Sequence, residues 1–69
     1  MMVEFLHRSE DRAGGILRFE GEETIHWSAI QNGGKWYILI HNDIKDDSKL
    51  SLKCILNMIQ NSLKYKKAA

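Results

Sequence analysis

The chain has 69 residues, 43% hydrophobic and 28% charged, which fits one small folded domain and excludes the charge-rich composition of disordered proteins. One cysteine excludes an intramolecular disulfide, and no apolar run approaches the roughly 20 residues of a membrane span, so we expect a soluble cytoplasmic protein. The net charge of +1 conceals an asymmetry, because all nine acidic residues precede Ser48 and the last 22 residues hold five lysines and no acid.

The first segment, residues 3–7, alternates Val3 and Phe5 with Glu4 and Leu6. This period of two favours a strand, which we expect to pair beside the last strand of a sheet. The window is short, and a brief helix reaching Arg12 is the alternative.

Two further segments, residues 16–20 and 24–30, show the same period of two and are predicted to be strands. Glycines lie around them at Gly14–Gly15, Gly21 and Gly33–Gly34, where we expect turns. Asn32–Gly33 is typical of a tight hairpin turn, because both residues tolerate a positive φ.

The fourth predicted strand, residues 35–41, is apolar on both faces. Trp36, Ile38 and Ile40 share one face, and Tyr37 and Leu39 lie on the other. Strands of this kind are usually central in a sheet or covered on both sides, and we expect the same here.

A helix is predicted over residues 49–66, with Ser48 or Ser51 as its N-cap. Its apolar stripe at a period of 3.6 residues consists of Leu52, Ile55, Leu56, Ile59 and Leu63. The predicted architecture is therefore α+β: a single domain with an antiparallel meander of three or four strands and one C-terminal helix packed on one face.

Two surfaces of this architecture carry more apolar residues than we expect for surfaces that face water. If the Trp36 row faces the helix, Ile30, Tyr37 and Leu39 face away from it, and Met58 and Tyr65 lie nearly opposite the helix stripe. These five residues are the predicted partner-binding set, for another protein or for a second copy of the chain. Alternatively, the first segment covers the open sheet face and the two helix residues lap over the sheet edge.

A second hypothesis is nucleic-acid binding through the basic helix. Six residues provide amides and ammonium groups suited to phosphates, and four of them share one helix face. They are Lys53, Asn57, Gln60, Lys64, Lys66 and Lys67. The near-neutral total charge and the absence of arginine from the helix weigh against this hypothesis.

No catalytic, metal or cofactor motif is found in the sequence. His7, His26, His41 and Cys54 form no compact ligand pair, and Cys54 has no marked base partner. We therefore predict a non-enzymatic interaction module, a regulator or inhibitor, with no cofactor, small-molecule substrate or membrane partner. Small α+β proteins of this length are common among phage and mobile-element regulators, which is an analogy of size and class only.

Overall fold

The computed structural model describes residues 2–18, 24–41 and 51–65. Over these residues the chain forms four strands and one helix: β1 (Met2–Arg8), β2 (Arg12–Arg18), β3 (Thr24–Asn32), β4 (Lys35–Ile40) and α1 (Leu52–Lys64). The strands form one antiparallel sheet in the order β1-β2-β3-β4, and α1 packs on one face of it. The predicted α+β meander with a C-terminal helix is confirmed, and the first segment is a strand rather than a helix.

The strand order corrects two expectations about the sheet. β1 pairs with β2 rather than beside the last strand, because the turn at residues 9–11 is too short to reach any other neighbour. β4, expected to be central or covered twice, is an edge strand of the described sheet. Its two apolar faces have different surroundings: one faces α1 and the other is exposed.

The bounds of β2 differ most from those predicted. The strand begins at Arg12, four residues before the predicted start, and Gly14–Gly15 lie inside it rather than in a turn. β2 is paired on both sides, with β1 and with β3, so the backbone ladders hold it where its glycines supply no side-chain packing. Several residues on which predictions fall lie outside the described residues: 19–21 in the second strand and turn, and 49, 50 and 66 at the helix ends.

A two-residue turn joins β3 to β4. Asn32 pairs with Lys35, so the turn residues are Gly33 and Gly34, one position later than predicted. Their φ angles of 64° and 81° are left-handed at both positions, the geometry of a type I′ turn that glycine adopts without a steric penalty.

The core lies between α1 and the sheet face that we call the inner face. Ser51, one of the two predicted N-caps, accepts a hydrogen bond from the Cys54 amide at 3.2 Å and begins the helix. From the predicted stripe, Ile55, Ile59 and Leu63 are buried and Leu56 is half-buried, whereas Leu52 is 46% exposed. The sheet contributes five buried residues to this core: Ala13, Leu17, Ile25, Trp27 and Ala29.

A bulge in β1 brings Arg8 onto the inner face. Between Phe5 and His7 the register with β2 shifts by one residue, so Phe5 and Arg8 can both face the helix although they are three positions apart. The Arg8 guanidinium donates to the carbonyl oxygens of Ser62 at 3.4 Å and Leu63 at 2.7 Å. It therefore ties the C-terminal end of α1, where carbonyls lack partners within the helix, to the edge of the sheet.

Candidate partner-binding surface

Three of the predicted binding residues form a continuous apolar area on the outer face, the sheet face opposite α1. Ile30 pairs directly with Tyr37 across β3 and β4, and Leu39 lies two residues further along β4 on the same face. Their exposed fractions are 55%, 57% and 59% in the order Ile30, Tyr37, Leu39. We call these three residues the outer patch.

The rest of the outer face is more polar. Ile16, the apolar residue at its centre, is buried although α1 packs on the opposite face. It lies between Glu4 and His26 on the neighbouring strands, and Glu4 forms an ion pair with Arg18 at 2.6 Å. Exposed Met2 and Leu6 lie on β1, at the other edge of the sheet.

The free edge of β4 borders the outer patch. The amide of His41 donates to the carbonyl of His26 at 2.9 Å, which identifies these residues as a hydrogen-bonded pair. Because such pairs alternate along an antiparallel ladder, Leu39, Tyr37 and Lys35 also bond to β3. The backbone groups at the three intervening positions therefore point away from the sheet, and no described residue bonds to them. These positions are Trp36, Ile38 and Ile40.

A groove of about 310 Å³ lies between this free edge and α1. Six residues line this edge groove: Trp36, Tyr37, Ile38, Leu56, Asn57 and Gln60. One wall is the apolar start of β4, and the other is a helix face with one leucine and two neutral amides. The groove can therefore accept an apolar side chain beside groups that donate and accept hydrogen bonds.

The helix residues of the predicted partner-binding set have different environments. Met58 is half-buried and packs against the core. Tyr65 follows the last helical residue and is 76% exposed. Two positions were predicted for these residues, covered beside the sheet edge or open to a partner. Met58 therefore fits the covered position, and Tyr65 fits the open one.

The predicted nucleic-acid residues are only partly brought together. Lys53, Asn57 and Lys64 are exposed and Gln60 is half-buried, and the four share one helix face by their spacing. Of these, Asn57 and Gln60 line the edge groove. Lys66 and Lys67 lie outside the described residues. Two described ammonium groups thus flank two amides, one helical turn to either side.

A hydrogen-bonded Ser–His pair lies on the outer face and was not found from the sequence. Ser28 Oγ and His41 Nε2 are 3.0 Å apart. The imidazole of His7 covers Gly14, which is paired with Ser28, and His26 is the backbone partner of His41. Strand register alone brings these residues together, so only a correct strand alignment could have revealed the grouping. Within the described ranges, no three His, Cys, Asp or Glu side chains are placed to hold a metal ion.

Comparison with protein-family models, with curated proteins and with solved structures yields no match to this chain. The helix in the described part of the chain is too short and too polar to cross a lipid bilayer. Any functional conclusion therefore depends on the surfaces described above.

Proposed function

We propose that this chain is a small non-enzymatic protein-interaction module of the cytoplasm, a regulator or inhibitor that binds the surface of a partner protein. The outer patch is the observation that carries this proposal. Three adjacent large apolar side chains, each more than half exposed, leave apolar area in water on a very small protein. Burying such area contributes about 25 cal/mol per Å², and aromatic residues are enriched in interface cores.

The position of the Ser28–His41 pair supports binding rather than catalysis. Its hydrogen bond is of the length expected for a nucleophile and its base, but both residues lie on an open sheet face. A reacting group there would be surrounded by water, where oriented dipoles stabilise a developing charge much less than in an enclosed site. The edge groove is lined by side chains without a charge.

The proposal is tested by immobilising the chain and passing over it a nuclease-treated extract of the cells that produce it. We expect a protein to be retained, and the double variant Tyr37→Thr, Leu39→Thr to reduce its retention at least about tenfold, since truncated interface anchors commonly cost more than 1 kcal/mol. Threonine preserves strand propensity, so circular dichroism should be unchanged.

Leu52→Ala is the matched control, because it removes exposed apolar area from the start of the helix, away from the outer face. It should leave retention unchanged. Tyr65→Ala, run in parallel, reports whether the exposed helix end contributes. Equal retention by the parent and the double variant would remove the basis of the proposal.

Nucleic-acid binding is the second candidate function, and the exposed Lys53, Asn57 and Lys64 on one helix face favour it. The same experiment distinguishes the two. If retained material disappears after nuclease treatment, and retention of nucleic acid falls steeply as salt rises from about 50 mM, phosphate contacts dominate. Retention that survives nuclease and depends on the outer patch supports the protein partner.

A further inference from the structure

We infer that the free edge of β4, with the edge groove, binds an extended segment of the partner protein as a fifth strand, and that acidic residues flank the apolar centre of this segment. The inference deepens the proposed function and rests on it, because it names the chemistry of the partner. It follows from the backbone of β4, the side chains on each side of its edge, and the charges around the groove.

The two edges of the sheet differ in how they admit another strand. β1 carries a bulge and three polar or charged residues, Glu4, His7 and Arg8, all of which discourage pairing. β4 is regular in its pairing, and from Trp36 to Ile40 it contains no charged residue, glycine or proline. Its outward backbone groups recur every second residue, the spacing that an added strand requires.

An added strand would place alternate side chains on opposite sides of the sheet. One row enters the edge groove against Leu56, and the other continues the outer patch beside Tyr37 and Leu39. Both rows meet apolar side chains, so the centre of the bound segment is apolar. The amides of Asn57 and Gln60 can bond to polar groups of the segment where it passes the helix.

The charges of the described residues around the edge groove favour an acidic segment. Lys53 and Lys64 lie one helical turn before and after the amides that line the groove, and both are exposed. Lys35 begins β4. Within residues 35–41 and 51–65 there is no aspartate or glutamate, and the described acidic residues belong to β1 and the turn after it. Carboxylates on the partner would therefore meet ammonium groups on both sides of the groove.

The same charges disfavour a second copy of the chain at this edge. Two-fold antiparallel pairing of β4 with itself would place both helices on one side of the joined sheet, with their groove faces opposed. Lys53 and Lys64 of one copy would then face the same lysines of the other, and like charges opposed across an interface cost free energy. An acidic partner has no such cost.

The inference is tested with fluorescent peptides of about ten residues, long enough for one strand pairing. The first peptide has a centre of alternating isoleucine and threonine flanked by aspartates, and the second has lysines in place of the aspartates. We expect the acidic peptide to bind more tightly, with amide resonance shifts at Trp36, Ile38 and Ile40. Lys53→Glu should weaken its binding about fivefold, as for a well-placed ion pair. Arg12→Glu, the same change of charge on an exposed residue of β2, should not.

Two N-methylated acidic peptides test strand addition itself. A peptide methylated at alternate amides keeps one edge free for hydrogen bonding and should bind, whereas a peptide methylated at every central amide has no free edge and should not. Equal binding of these two peptides, or of the acidic and basic peptides, would overturn the inference. So would displacement of the bound peptide by a single-stranded oligonucleotide at a lower concentration than by unlabelled acidic peptide, or dimerisation of the parent chain that shifts the amide resonances of Trp36, Ile38 and Ile40 without any peptide. If these peptide experiments fail but the Tyr37→Thr, Leu39→Thr variant still retains less of a cellular protein than the parent, the proposed function stands and only strand addition fails.

Discussion

Gly15 of β2 lies close against the backbone of β1. A Cβ atom added at Gly15 would lie 1.9 Å from the backbone carbonyl oxygen of Glu4, far inside any contact distance. A Cβ at Gly14 would meet only the imidazole of His7, at 2.6 Å, and that side chain can rotate away. The two adjacent glycines therefore differ. Gly15 is required because the backbone of β1 lies close to it, whereas Gly14 only makes room for the side chain of His7.

We predict that Gly15→Ala lowers the free energy of unfolding by at least about 2 kcal/mol, because β1 must move to admit the methyl group. Gly14→Ala should change stability by less than about 1 kcal/mol, since displacing His7 is offset by the smaller chain entropy of alanine when unfolded. Urea unfolding followed by tryptophan fluorescence measures both. Equal losses of unfolding free energy in the two variants would contradict the close approach of the Glu4 backbone to Gly15.

Arg8 contributes to stability through both its charge and its shape. Its guanidinium lies 5.2 Å from the centre of the Phe5 ring and 5.9 Å from that of Trp36, and it donates to two carbonyl groups at the end of α1. A cation at this position also interacts favourably with the negative end of the helix dipole. One side chain thus joins the first strand to the last helix.

We predict that Arg8→Met, which keeps the stem but removes the donors, costs about 1–3 kcal/mol of unfolding free energy, the usual range for hydrogen bonds to charged groups. Arg8→Lys should recover only part of this, because an ammonium group cannot reproduce the planar fork. The midpoint of urea unfolding reports the change. Arg12→Met, on the exposed start of β2, is the control. A loss of unfolding free energy in Arg12→Met as large as in Arg8→Met would argue against a stabilising contact between Arg8 and the end of α1.

Among the elements, α1 was the best predicted from the sequence. The period of 3.6 residues identified Ile55, Ile59 and Leu63 as core residues because a buried helix face depends mainly on angular position. The same argument failed for Leu52, which is exposed, and it did not decide between a covered and an open position for Met58, which is half-buried. Whether a residue near the edge of the stripe is covered depends on where the sheet ends beneath it, and periodicity contains no information about that boundary.

β4 shows what alternation can and cannot predict for a strand. The pattern correctly assigned Tyr37 and Leu39 to the face opposite the helix, but it suggested a central strand where the sheet has an edge. Alternation reports the two faces of a strand, whereas its neighbours in the sheet are set by pairing with other segments. The free edge, the edge groove and the Ser28–His41 pair all depend on that pairing, so none of them could be derived from the sequence.

Across the whole molecule, the described acidic residues lie apart from the lysines of α1, although three arginines lie near these acids on β1 and β2. The described acidic residues belong to β1 and the turn after it, while the basic helix face borders the opposite edge of the sheet, beside β4. The outer patch lies on the side of these lysines, because it includes two residues of β4. This side of the described structure therefore combines backbone groups that no described residue bonds, apolar area and positive charge, the three features that an acidic extended partner would use.

Amide hydrogen exchange in the isolated chain tests most directly whether this side is open. We predict alternating protection along β4: the amides of Tyr37, Leu39 and His41, bonded to β3, should exchange about two orders of magnitude or more slower than those of Trp36, Ile38 and Ile40. Equal, strong protection from Trp36 to His41 would show that the edge of β4 is already paired and would contradict the account of how this protein binds.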